Sequence, residues 1–203
     1  ETWVEDMCVL RHDGTFYMFA EGKDDIAQLL TSTDGISWER RGPLDVRRTD
    51  GKPIPPGPYG TPTVLVKNGL WHLFYERKDQ GIWLATSPDL RIWTNVQDDP
   101  VIAMGPETYD QTAVALNQII EHEGVYYGIY HANAYRPWRD WTTCLARSTD
   151  LIHWEKFSGN PIIKNNCSSG IFVDGTEGLL LYTMHPEVRR FVSSASDHKS
   201  DRP

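Results

Sequence analysis

The sequence predicts an all-β protein, a β-propeller of four-stranded antiparallel blades. Three observations point there. A turn-and-strand phrase recurs at a fixed period, a second element follows it in three of four copies, and no segment carries the 3.6-residue apolar periodicity of a helix.

The phrase is "DGTFYMFAEG" at 13–22, and it returns as "NGLWHLFYER" at 68–77, "EGVYYGIYHA" at 123–132 and "EGLLLYTMHP" at 177–186. Its glycines Gly14, Gly69, Gly124 and Gly178 are spaced by 55, 55 and 54 residues, the regularity expected of solenoids, propellers or arrays. Each closes a two-residue turn (Asp13-Gly14, Asn68-Gly69, Glu123-Gly124, Glu177-Gly178) between apolar, aromatic-rich runs, the signature of a β-hairpin.

The second element reads "LLTSTDGISWERRGP", "LATSPDLRIWTNVQDDP" and "LARSTDLIHWEKFSGNP": an apolar strand, a Ser-x-Asp turn, a tryptophan and a proline-ended tail. Ser and Asp bond their own backbone at such turns, and Trp38, Trp93 and Trp154 fall at repeat positions that suit packing in the core. Each unit is therefore a four-stranded meander, and meanders stacked around an axis make a propeller. The chain shows three full units and a fourth that ends after "EVRRFVSS". Its 203 residues suit one sizeable core, read as a single domain over 1–203 with a flexible tail at 193–203.

The formal charge of -8 is spread over interspersed acidic and basic residues, which disfavours nucleic acid or an anionic membrane surface as a partner. The apolar runs are strand-length, too short to span a bilayer. Cys8, Cys144 and Cys167 lie far apart and form neither a CxxC nor a metal-spaced set, so no disulfide framework or metal site is expected from them. Nothing in the sequence fixes the compartment.

Two-residue hairpins set register, so positions equidistant from the turn face each other. That arithmetic places Asp6 opposite Glu21, Thr61 opposite Glu76, Leu116 opposite His131 and Gly170 opposite His185. The open ends of the four hairpins emerge on one face, which then carries Asp6, Glu21, Glu76, His131 and His185 at equivalent places. Carboxylates brought together shift one another's pKa and can divide acid and base roles. The segment "GPETYDQTA" adds Glu107, Asp110 and Gln111 just ahead of an inner strand, with Asp110 the better placed carboxylate. Trp3, Tyr59, Tyr109, Trp138 and Trp141 lie in the same rim loops, where flat rings stack on sugars. Residues at 46–60 and 131–141 form the longest of these loops, and binding residues gather on such loops.

The blade phrases "VEDMCVLRHDGTFYMFAEG", "GTPTVLVKNGLWHLFYE" and "LATSPDLRIWT" resemble those of the five-bladed propeller glycosidases, the broad group containing glycoside hydrolase families 32, 43, 68, 117 and 130. The resemblance covers nearly the whole chain. It implies five blades, of which about four are visible, the first being expected upstream of Glu1. In such families an innermost strand often opens with aspartate then proline. "EDM" is similar, with Met7 in the proline place, so Asp6 looks like a catalytic carboxylate. Thr61 and Leu116 stand where a further acidic residue is sought, which leaves Glu76, Asp110 and His131 as candidates for the acid. The implied activity is an exo-acting glycoside hydrolase using carboxylate acid/base catalysis on an oligo- or polysaccharide. Glu21, Thr61, Tyr59, Gln111, Arg136, Trp138 and His185 are the expected substrate-binding residues. The alternatives are a glycoside phosphorylase, with Arg136, Arg139 and Arg189 as its phosphate pocket, and a non-catalytic glycan-binding propeller. No cofactor is expected. The group admits a structural cation in its central channel, for which the sequence identifies no ligands, and open blade edges admit oligomerisation.

Overall fold

The protein was examined as a computed structural model, which describes residues 4–23, 26–54, 59–176 and 178–192. Trp3, Glu177 and the tail at 193–203 lie outside the described residues.

Among the described residues seventeen strands form four sheets. The first joins β1 (Glu5–His12), β2 (Thr15–Glu21), β3 (Ala27–Ser32) and β4 (Glu39–Pro43) in chain order. The second runs β6 (Gly60–Lys67), β7 (Leu70–Glu76), β8 (Gly81–Ser87) and β9 (Ile92–Asn95). It is extended by β5 (Asp45–Arg47), which pairs in parallel with β9, and by β10 (Ile102–Ala103), which pairs with β8. The third joins β11 (Ala113–His122), β12 (Val125–Asn133), β13 (Thr142–Ser148) and β14 (Glu155–Lys156), and the fourth β15 (Ile171–Gly175), β16 (Gly178–Thr183) and β17 (Arg189–Val192). These are the blades of a β-propeller, four among the described residues, so the fifth blade implied by the resemblance is not found within them. No helix here is long and apolar enough to cross a membrane.

The turns follow from their residues. At Asp13-Gly14, Asn68-Gly69 and Glu123-Gly124 both residues have positive φ, from 46° at Asp13 to 80° at Gly14, the type I′ geometry whose twist matches the flanking strands. The Ser-x-Asp turns are closed as their chemistry dictates: the Ser32, Ser87 and Ser148 hydroxyls each accept the amide three residues on at 2.9 Å. Asp34, Asp89 and Asp150 accept amides two residues on at 2.8, 3.0 and 2.9 Å.

Two apolar clusters hold successive blades together. Phe19, Trp71, Tyr75 and Trp93 belong to the cluster linking the first and second sheets, and Phe74, Leu84, Leu116 and Tyr130 to the one linking the second and third. Phe19 meets Trp93 edge to face at 5.9 Å, and Phe74 meets Trp154 the same way at the same distance, a geometry aromatic rings prefer. Trp93 is fully buried, whereas Trp38 and Trp154 are only partly buried. The three cysteines are free.

The register differs from simple counting, and the reason repeats. Glu21 faces Glu5 rather than Asp6, Glu76 faces Gly60 rather than Thr61, and His131 faces Ala115 rather than Leu116. In each inner strand a bulge adds one residue, at Asp6-Met7, Thr61-Pro62 and Asn117. A bulge bends the strand and re-aims the side chain within it. In the fourth sheet Gly175 pairs with Gly178, so Gly178 is a strand residue, and His185 bridges to Ser168 rather than Gly170.

Candidate active site

The bulges converge on a cavity of about 560 Å³ at the mouth of the channel, lined from all four blades by Asp6, Thr61, Leu116, Asn117, Ser169 and His185, among others. Asp6 and Thr61 sit at matched bulge positions with φ of 46° and 44°. Left-handed backbone at a residue other than glycine costs energy and persists only where the surrounding fold holds it, commonly at functional sites.

The Thr61 hydroxyl donates to Asp6 Oδ2 at 3.5 Å and the Thr61 amide donates to Glu21 Oε2 at 2.9 Å. Part of Asp6 faces open space, yet protein crowds its carboxyl. This burial raises its pKa above the ordinary carboxylate range, and the Thr61 hydrogen bond opposes the rise. Glu21 and Glu76 are buried on either side of Gly60. A methyl at Gly60 would overlap the Glu76 carboxylate and lie 2.8 Å from Glu21 Oε2. Glu76 Oε2 accepts the Asp79 amide at 2.6 Å.

On the opposite side, His131 shares a hydrogen bond between its Nδ1 and the Asn117 side-chain amide, 3.0 Å to Nδ2 or 3.2 Å to Oδ1 according to tautomer. Its ring meets Trp141 edge-on at 5.0 Å. Burial, and to a lesser degree the charge of His185, push its pKa down to about 4. At neutral pH it is an uncharged imidazole, which corrects its expected role as a proton donor: it can accept a hydrogen bond or orient Asn117. His185 is exposed at the rim of the cavity.

Three expected site residues are placed elsewhere. Asp110 is 0% exposed and pairs at 2.5 Å with Lys156 Nζ, which also donates to the Ala103 and Gly105 carbonyls, each at 2.7 Å. It ties the segment leading into the third blade to that blade's outer strand, so it is a structural anchor and not an acid facing substrate. Tyr59 is buried against Tyr75 and donates its hydroxyl to the Ile54 carbonyl at 2.8 Å, which makes it core rather than a sugar platform. Gln111 is exposed outside the cavity lining. Arg136 and Trp138 stack on each other at 5.5 Å in the rim loop between β12 and β13. Asn117 and Ser169 are cavity residues that the sequence reading missed. Among the described residues no three His, Cys, Asp or Glu side chains converge to hold a cation.

The fold is that of a β-propeller, and solved β-propellers of glycoside hydrolases are among the structures it is similar to. A family 117 glycoside hydrolase of the marine bacterium Zobellia galactanivorans superposes with a TM-score of 0.70 at 20% identity, covering 90% of this chain and 63% of that one. A glycosyl hydrolase of Bacteroides ovatus gives 0.72 at 14% identity over 89% and 61%, and a family 32 β-fructofuranosidase of Bombyx mori 0.69 at 15% identity over 85% and 39%. At these identities the likeness shows the fold alone. In sequence, the chain is 27% identical over 191 residues to a 1,2-β-oligomannan phosphorylase of Thermoanaerobacter sp. (strain X514), spanning 83% of this chain and 60% of that protein. No protein-family model matches the chain.

Proposed function

We propose that the protein is a glycan-active enzyme that removes a terminal sugar at the channel mouth, with Asp6 as proton donor and inorganic phosphate as the attacking group. The observation that carries this is that Asp6 is the one carboxylate lining the cavity among the described residues. Hydrolysis needs two carboxyl groups, one to protonate the leaving oxygen and one to activate water or attack the sugar. Phosphate brings its own nucleophilic oxygen, so a single carboxylic acid suffices.

A phosphate oxygen attacks the anomeric carbon as the bond to the leaving oxygen breaks, and the Asp6 proton moves to that oxygen. The products are a sugar 1-phosphate and a chain shortened by one unit. Burial keeps Asp6 protonated to higher pH than an ordinary aspartic acid, as a proton donor requires. Arg136, Arg139 and Arg189, the phosphate pocket expected from the sequence, lie outside the cavity lining, so in this reading the Thr61 and Ser169 hydroxyls, the Asn117 amide and His185 supply hydrogen bonds to sugar and phosphate. The cavity falls within the range of about 300–1,000 Å³ usual for small-ligand pockets, which suits a chain end. The oligomannan phosphorylase supports this reading as a relative, and a β-1,2-linked oligomannan is the first substrate to try.

Hydrolysis is the second reading, favoured by the Glu21 and Glu76 carboxylates packed beside Thr61. The test is to incubate the protein with a panel of oligosaccharides with and without phosphate and identify the released species. A sugar 1-phosphate formed only with phosphate is expected. A free monosaccharide formed without phosphate would select hydrolysis, and no release from any glycan would leave a binding propeller.

A further inference from the structure

We propose that the loop between β12 and β13, residues 134–141, is a subsite for an anionic sugar unit of the bound glycan. The proposal rests on reading the channel mouth as the glycan site. It adds the charge class of the ligand.

The loop leaves β12 at the end that carries His131 and returns through Trp141, whose ring lies 5.0 Å from that histidine. The loop therefore stands behind His131, which bonds the cavity residue Asn117. It is also held stiffly. Asn133 Oδ1 accepts the Tyr135 amide at 2.7 Å, and Asn133 Nδ2 donates to the Arg139 carbonyl at 2.8 Å. The Trp141 amide donates to Asn166 Oδ1 at 3.1 Å, and Arg136 Nη2 donates to the Thr112 carbonyl at 3.3 Å. A loop fixed at its start, middle and end loses little conformational freedom on binding.

What this stiff loop presents is two flat rings and two guanidinium groups. Tyr135 and Trp138 are each 50% exposed, and the Arg139 and Arg136 guanidiniums lie 5.5 Å from their respective ring centres. A guanidinium stacked on a ring keeps its N–H donors in plane, in the forked geometry that matches a carboxylate or sulfate, and Arg136 gives one of these, on Nη2, to the Thr112 carbonyl. Arg41, Arg47, Arg91, Arg147 and Arg189 each meet a carboxylate. Among the described residues neither Arg136 nor Arg139 has such a partner. The exposed carboxylate on the loop is Asp140, against Arg136 and Arg139, so the loop is net positive on a chain whose formal charge is -8. The rings would lie along the apolar face of a sugar while the guanidiniums hold its anionic group.

The test is calorimetric titration of the protein with three oligosaccharides of equal length, an oligogalacturonate, a sulfated galactan fragment and a neutral mannan fragment, and with inorganic phosphate alone. The wild type should bind one or both charged glycans at least about tenfold more tightly than the neutral one. Arg136→Gln/Arg139→Gln should lose that preference with its phosphate affinity unchanged, and the more conservative Arg136→Lys should keep part of it. Both variants change exposed side chains, and circular dichroism and melting verify their folds. Of the two charged probes, the tighter one names carboxylate or sulfate as the group recognised. Equal binding of charged and neutral glycans, no binding of any, a preference that survives in the double variant, or a loss confined to phosphate would each overturn the proposal. The readout is binding, so it stands or falls separately from bond cleavage.

Discussion

Replacing Lys156 by methionine tests whether Asp110 is an anchor or a catalyst. The change keeps most of the side-chain stem and removes the ammonium that meets Asp110, whose carboxylate is 0% exposed, and the carbonyls of Ala103 and Gly105. Lys156 itself is only 19% exposed, so water cannot readily take its place. Asp110 Oδ1 already lacks a hydrogen-bond partner. Removing one member of a buried ion pair costs about 3–5 kcal/mol, because the other charge stays buried and uncompensated. At about 2–4 °C per kcal/mol for a domain of 150–250 residues, Tm should fall by roughly 6–20 °C. Adding Asp110→Asn removes the stranded charge and should restore more than half of the loss. Differential scanning calorimetry of the wild type, both single variants and the double variant closes the cycle. A Lys156→Met protein that melts within about 2 °C of wild type, less than 1 kcal/mol on the same scale, would refute the reasoning.

Gly60→Ala should destabilise the fold by about 1–3 kcal/mol, as overpacking does, and displace the Glu21 and Glu76 carboxylates, which thermal melting and a crystal structure would register. Asp6→Asn should reduce bond cleavage by about 10²–10⁴-fold, the usual contribution of a general acid. Because burial raises the Asp6 pKa, the folded state disfavours its charge, so the same variant should melt higher than wild type at pH 7 and lose that advantage as pH falls through the Asp6 pKa. Burial holds the folded pKa of His131 at about 4, below its ordinary 6.5, so the unfolded chain binds more protons between these values. Stability should therefore decline as pH drops from 6.5 towards 4, and His131→Gln should flatten that decline in urea titrations.

The repeat made the fold legible. Four glycines at a near-constant interval identified the hairpins, although Gly178 proves to be a strand residue rather than a turn residue, and three Ser-x-Asp turns supplied the third strands. What counting could not see was the bulge, because a bulge adds a residue without altering composition. Pro62 was the available signal: proline lacks a donor for the ladder and within a strand marks an edge or a bulge. The same irregularity in the third blade hides Asn117, which lines the cavity beside Leu116. Of the residues singled out by repeat equivalence, Asp6 and His185 line the cavity, Glu21 and Glu76 pack at Gly60, and His131 bonds Asn117. Asp110 and Tyr59 were misplaced for a physical reason. Each precedes an inner strand, and sequence spacing alone does not say that Lys156 or Tyr75 folds over it.

The central claim is that Asp6 donates the proton for phosphate-dependent removal of a terminal sugar. The most direct test follows phosphorus-31 resonances while wild type and Asp6→Asn are incubated with the oligosaccharide panel and phosphate. A new sugar phosphate signal in the wild type, absent in a folded Asp6→Asn protein, is the predicted result. An Asp6→Asn protein that forms the same product at the wild-type rate, or a wild type that forms none, would contradict it.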